Sequence, residues 1–165
     1  MSIFLREHYG NSHLTARQIL RDPVLLLAFG FGSGLSRIMP GTFGTIAAIP
    51  LYLALQPLGI WPYSLATLVC VVVGIYICDG AARKLEVHDF GGIVWDEIAG
   101  LLITLWGLEL SWQSLLAGFA LFRGFDILKP WPIKWLDKHV AGGFGIMIDD
   151  VLAGVFAALI LRFWF

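Results

Sequence analysis

The chain closes on a long apolar run that begins with two acids. In Gly145-Ile-Met-Ile-Asp-Asp-Val-Leu-Ala-Gly154, Asp149 and Asp150 stand where a hydrophobic stretch starts, and that stretch continues to Phe165. A helix that enters lipid should not begin with two anions unless something positive meets them. Asp96-Glu97 and Asp126 also lie inside or beside apolar runs. Ionisable residues in such places are functional-site hypotheses by default. The fold is constrained as tightly. Of 165 residues, 58% are hydrophobic and 14% are charged, against roughly 25% charged in an average soluble domain. This predicts an all-α protein, a multi-helix integral membrane bundle. A soluble all-α protein with a very apolar core is the alternative. Net charge is −1, which gives no sign of nucleic-acid binding.

Residues 1–23 form a polar N-terminal tail with Arg6, Arg17 and Arg21, and no signal-peptide core follows Met1. Thr15 and Gln18 have capping-box spacing, so a short interfacial helix ending near Pro23 is expected, with an unstructured tail as the alternative. Residues 24–165 read as a single helical membrane domain. Its first segment, Val24–Leu35, is interrupted by Gly30, Gly32 and Gly34. It is too short to span, and a re-entrant or interfacial segment fits better. About five principal helices follow. The first starts near Pro40–Thr45, with Thr42 as N-cap, and ends at about Leu55. The others cover about Tyr63–Cys78, Ile93–Leu108, Gln113–Leu128 and Met147–Phe163. Segments 79–92 and 129–144 read as loops, with continuation of the Tyr63–Cys78 helix through Arg83 as the alternative for the first. Cys70 and Cys78 are two helical turns apart, too far to bridge. Gly100, Gly118 and Gly154 read as helix-packing sites, and Trp95, Trp131 and Trp135 as interfacial anchors.

Lysine and arginine counts set the orientation. Arg6, Arg17, Arg21 and Arg37 precede the first helix, Arg83 and Lys84 lie in the second connection, and Lys129, Lys134 and Lys138 in the fourth. Only Arg162 falls at the opposite side. The positive-inside rule therefore puts the tail and both long loops in the cytoplasm. The unusual polar residues then share one depth: the Pro40–Thr45 loop, Asp96-Glu97, the Arg123/Asp126/Lys129 set and Asp149-Asp150.

Five carboxylates at one level repel each other unless a cation intervenes. A hard divalent ion such as Mg²⁺ takes oxygen ligands and keeps positions for phosphate oxygens. Asp96, Glu97, Asp149 and Asp150 are the candidate metal ligands, with Asp126 as a supporting catalytic acid. Arg123 and Lys129 could clamp a phosphate, and the glycine-rich 30–45 segment offers backbone N–H groups. Plain structural roles compete: one aspartate could merely cap its helix, and Asp126 could be only an ion-pair partner of Arg123 or Lys129. Other phosphatase chemistries do not fit. Four residues separate Cys78 from Arg83, whereas a cysteine phosphatase loop has five, and neither a P-loop nor a nucleophile elbow is present.

Four ordered blocks carry a family resemblance: Pro40-Gly-Thr-Phe-Gly-Thr45, Ile93-Val-Trp-Asp-Glu-Ile-Ala-Gly100, Phe122-Arg-Gly-Phe-Asp-Ile-Leu-Lys-Pro130 and Gly143-Phe-Gly-Ile-Met-Ile-Asp-Asp-Val-Leu-Ala-Gly154. From about Leu25 onward the chain resembles phosphatidylglycerophosphatase A of Gram-negative bacteria. The resemblance implies a magnesium-dependent inner-membrane enzyme whose site faces the cytoplasm. It would remove the terminal phosphate of phosphatidylglycerophosphate. By position, Asp96, Glu97, Asp126, Lys129, Asp149 and Asp150 match family acidic and basic positions, and Thr42 matches the family threonine. Arg37 departs from a proline that the family often has. The alternative from another class is an ion or proton transporter using the same carboxylates.

Overall fold

Local signals build the start of the ordered chain. The computed structural model describes residues 14–87 and 90–165; Arg6, His8, His13, His88 and Asp89 lie outside them. Thr15 and Gln18 form the capping box that their spacing predicts, opening α1 (Ala16–Arg21). Asp22 then ends α1 and caps α2 (Pro23–Ala28), accepting from the N–H groups of Val24 and Leu25 at 3.0 and 3.2 Å. The same carboxylate pairs with Lys84 at the end of a distant helix. That lysine is the main reason the Asp22 carboxyl sits below its ordinary value of 3.8. A depressed folded-state value means that the contribution is present above 3.8 and fades as pH falls through the folded value. Asp22→Ala is therefore expected to cost about 1 kcal/mol at neutral pH and less at pH 3. Thermal unfolding of both proteins in detergent at the two pH values checks this.

After α2 the chain makes the 3₁₀ segment Gly30–Leu35, in which Phe31 and Gly32 have φ of 57° and 101°. Glycine tolerates such backbone freely and phenylalanine does not, so the segment breaks where the glycine spacing indicated. The next helix, α3 (Pro40–Leu55), starts earlier than expected. Met39 is its N-cap and Pro40 its first residue, so Thr42 lies inside the first turn and is no cap. Proline's fixed φ and missing N–H suit that first position.

Among the described residues, three helices are long and apolar enough to cross a membrane: Pro40–Leu58, which joins α3 to a short 3₁₀ turn, α4 (Ile60–Leu85) and α8 (Gly142–Leu161). On α4, the residues Leu65, Leu68, Val69, Val72, Val73 and Tyr76 are all exposed. They recur at helical spacing and make one continuous apolar stripe. A stripe of this kind is foreign to a soluble monomer. The remaining elements are α5 (Trp95–Thr104), α6 (Trp112–Leu128) and α7 (Ile133–His139). At about 1.5 Å per residue, the 10 residues of α5 cover about 15 Å, half of a ~30 Å hydrocarbon core. The expected helix from Ile93 to Leu108 is therefore shorter, and α7 occupies what read as loop. The stretch read as a loop from residue 79 belongs largely to α4, which continues to Leu85.

Helix α8 runs through the centre and packs against α4, α5, α6 and α7. Its crossing with α5 brings two backbones together at glycines. A Cβ on Gly154 would lie 2.6 Å from the Gly100 carbonyl oxygen, and one on Gly100 would lie 3.1 Å from the Asp150 carbonyl oxygen. The two backbones touch because neither glycine has a side chain. Thr104, buried at the same joint, donates its hydroxyl to the Gly100 carbonyl at 2.9 Å. Gly118 meets the side chain of Leu105 instead. Cys70 and Cys78 are buried, free thiols.

Candidate active site

Four helices deliver acids to one end of the bundle. Helix α5 carries Asp96 and Glu97 in its first turn. Helix α8 carries Asp149 and Asp150 about two turns in, both buried. Helix α6 ends on Asp126 and on Lys129 as its cap, and α7 adds Asp137. All of these line one cavity of about 180 Å³, together with Gly91, Ile93, Gly145 and Ile146. One carboxylate oxygen each from Asp96, Glu97 and Asp150 lies within 4.8 Å of the others. The glycine crossing explains this convergence. Asp96 precedes Gly100, and Asp150 precedes Gly154, by four residues each. Four residues is about one turn, so each acid sits one turn from the point where the helices touch.

The cations are shared among the acids. Arg123 pairs with Asp126 one turn along α6 and lies 3.8 Å from Glu97. Lys129 places its Nζ 2.6 Å from Asp137 and 2.6 Å from Asp149. Burial alone would lower the Lys129 pKa, but the two carboxylates outweigh it and hold the ammonium above its ordinary range. Asp149 also accepts the backbone N–H of Asp150 at 3.1 Å. Six carboxylates thus meet two cations, and charge is left over where water is scarce. Glu97 Oε2 and Asp150 Oδ2 are buried with no hydrogen-bond partner among the described residues. Unpartnered buried carboxylate oxygens are costly. Three all-oxygen donors with spare lone pairs, so close together, are the donor set a hard divalent cation takes.

Of the residues singled out in sequence, Asp96, Glu97, Asp126, Lys129, Asp149 and Asp150 line the cavity, and Arg123 stands against it through Asp126 and Glu97. Asp149 departs from the other three proposed metal ligands, because its Oδ2 is given to Lys129. Thr42 is half-buried in the first turn of α3 and does not line the cavity. Its neighbour Gly41 does press on the cluster: a Cβ there would meet Glu97 Oε1 and stand 3.0 and 3.1 Å from the Arg123 guanidinium nitrogens. Asp137 is the acid that sequence reading missed. It sits in Ile-Lys-Trp-Leu-Asp-Lys-His, which looked like an ordinary solvated connection. The signal available was its eight-residue distance from Lys129 across a Pro-Trp-Pro bend.

At the other end of the bundle, Arg162 donates to the Trp106 carbonyl at 2.9 Å and lies over the Trp106 ring at 4.9 Å. It is far along α8 from the acids, as the charge count predicts.

Comparison with known proteins agrees with the four sequence blocks. The family model for phosphatidylglycerophosphatase A matches residues 26–165. A phosphatidylglycerophosphatase A from Escherichia coli K12 is 50% identical over 149 residues, covering 90% of this chain and 87% of the relative. One from Haemophilus influenzae is 47% identical over 150 residues, covering 88% and 92%. A Bacteroides thetaiotaomicron protein, provisionally named a phosphatidylinositol-3-phosphatase, is 35% identical over 148 residues, covering 83% and 90%. No solved structure matches this chain. With a match that begins inside α2 and takes in every acid and base of the cavity, the chain belongs to the phosphatidylglycerophosphatase A family.

Proposed function

We propose that this protein is a membrane lipid phosphatase that hydrolyses the terminal phosphate of phosphatidylglycerophosphate and leaves phosphatidylglycerol. The observation that carries the reading is the trio of Asp96, Glu97 and Asp150 within 4.8 Å, flanked by Lys129 and Arg123. Family membership supplies the substrate class. Asp96, Glu97 and Asp150 would hold Mg²⁺, with Asp149 close by as a fourth acid. When bound, the ion supplies charge neutralisation at the phosphoryl oxygens and a lowered pKa for the attacking water.

The chain's own residues do the rest. Lys129 and Arg123 draw the phosphate oxygens into the cavity by charge-assisted hydrogen bonds. A water attacks phosphorus, the bond to the glycerol oxygen breaks, and that oxygen leaves as the alcohol by taking the water's proton back from the carboxylate that accepted it. Asp126 or Asp149, at the edge of the trio, accepts the water's proton. The five longer helices lie in the inner membrane with the acid-bearing end toward the cytoplasm, in line with the lysine and arginine distribution. Segment 24–35 stays at that interface as a re-entrant or surface piece. The acyl chains can then remain in the bilayer while the headgroup reaches the acids.

The transporter reading is weaker, because transport sites lie near the bilayer midplane between broken helices and these acids gather at one end. Purified protein in detergent is expected to release inorganic phosphate from phosphatidylglycerophosphate when Mg²⁺ is present. EDTA should abolish release and added Mg²⁺ should restore it. Undiminished release in excess EDTA overturns the metal assignment, and no release under any divalent ion overturns the phosphatase. The Bacteroides relative makes a phosphoinositide the second substrate to test, alongside phosphatidic and lysophosphatidic acid.

A further inference from the structure

We infer that Asp137 is a positioning residue: it holds Lys129 so that the lysine's remaining N–H faces the acid cavity. This rests on the proposal that Lys129 binds the substrate phosphate. Lys129 caps α6 with φ 42° and ψ 59°, the left-handed region that a residue with a Cβ rarely adopts. That backbone turns the chain abruptly into Pro130, and α7 follows over the same cavity. Asp137 Oδ1 and Asp149 Oδ2 then hold the Nζ from two different helices, both at 2.6 Å. An ammonium has three donors. With two of them fixed, the direction of the third is set, whereas a lysine held by one partner swings about it.

The arrangement also divides the labour between the two acids. Asp149 lies within α8 and is 10% exposed at its side chain, whereas Asp137 is 31% exposed on a seven-residue helix. Asp149 is therefore the fixed partner. Asp137 belongs to a short element that also carries the exposed Trp135. Its ion pair is with Lys129, so its effect on turnover should run through Lys129.

The test is a double-variant cycle on full-length protein in detergent, with phosphatidylglycerophosphate as substrate and inorganic phosphate as competing product. Asp137→Ala is expected to raise KM and the inhibition constant for phosphate about tenfold, with kcat changed much less. Asp137→Asn, which keeps an acceptor oxygen, should fall between. Lys129→Ala should lose more, and Asp137→Ala added to Lys129→Ala should cost nothing further. Losses that add in the double variant, or an Asp137→Ala protein with normal KM, overturn the positioning role and leave the phosphate role of Lys129 intact. A Lys129→Ala protein with normal KM overturns that role and the inference together. Thermal unfolding of each variant separates all of these from misfolding: an Asp137→Ala protein whose KM defect follows lost thermal stability counts against positioning.

Discussion

Asp150→Asn is expected to lower phosphate release by at least about 10²-fold, because changing even an outer-sphere partner of a metal ligand costs about 10–100-fold. The substitution keeps shape and volume but removes the charge. Asp150 is 3% exposed, and its Oδ2 is buried without a hydrogen-bond partner among the described residues. A neutral amide there relieves an uncompensated acid, so the fold should be unharmed or slightly steadier. Activity and stability are thus expected to move apart: phosphate release collapses while the unfolding temperature holds or rises. A second readout is Mg²⁺ protection against unfolding, which the wild type should show and Asp150→Asn should largely lose. Full activity in a folded Asp150→Asn protein would remove this residue from the metal set. Asp149→Asn should behave differently. It weakens a lysine contact in addition to any metal contact, so its loss should extend to KM.

The second large effect concerns a residue with no chemistry of its own. Gly154→Ala places a Cβ 2.6 Å from the Gly100 carbonyl oxygen. The obstacle is backbone, which cannot rotate aside, so α5 and α8 must separate. Overpacking of this kind costs about 1–3 kcal/mol, and the separation moves Asp150 away from Asp96. Stability and activity should therefore fall together, in contrast to Asp150→Asn. Gly124→Ala on α6 is the control: a Cβ there meets nothing within 4 Å, so the change should be neutral or stabilise by a few tenths of a kcal/mol. Unfolding temperature and phosphate release, measured side by side, check both. A Gly154→Ala protein with native stability would mean that the helices do not touch at this point.

The acid-bearing residues were legible because each sits where charge is expensive. Asp96, Glu97, Asp126, Asp149 and Asp150 interrupt apolar stretches, and all of them line one cavity. The helix ends were harder to read. Gly142-Gly143-Phe-Gly145 looked like a loop, yet α8 begins at Gly142. Those glycines answer to packing: a Cβ on Gly143 would run into the Ile75 carbonyl of α4, and one on Gly145 into the Val140 carbonyl. Close contact between backbones outweighed intrinsic propensity. The Asp79–Lys84 stretch looked like a polar loop for a similar reason. It is helical, with Arg83 paired to Asp79 one turn back and Asp79 accepting the Gly143 N–H at 3.2 Å. Asp137 escaped notice because its surroundings were already polar. One signal was available and went unread. Asp96-Glu-Ile-Ala-Gly100 and Asp150-Val-Leu-Ala-Gly154 share the pattern Asp-x-x-Ala-Gly, with the alanines fully buried. The same short phrase on two helices encodes both the crossing and the acids beside it.

That shared phrase has a consequence for how the protein is made. Its two copies are separated by more than fifty residues, so the first leaves the ribosome well before the second. Until α8 threads into place, the nascent chain holds Asp96 and Glu97 with no opposing acid from that helix. A polypeptide halted before residue 142 lacks Asp149 and Asp150, so on the proposed mechanism it should release no phosphate.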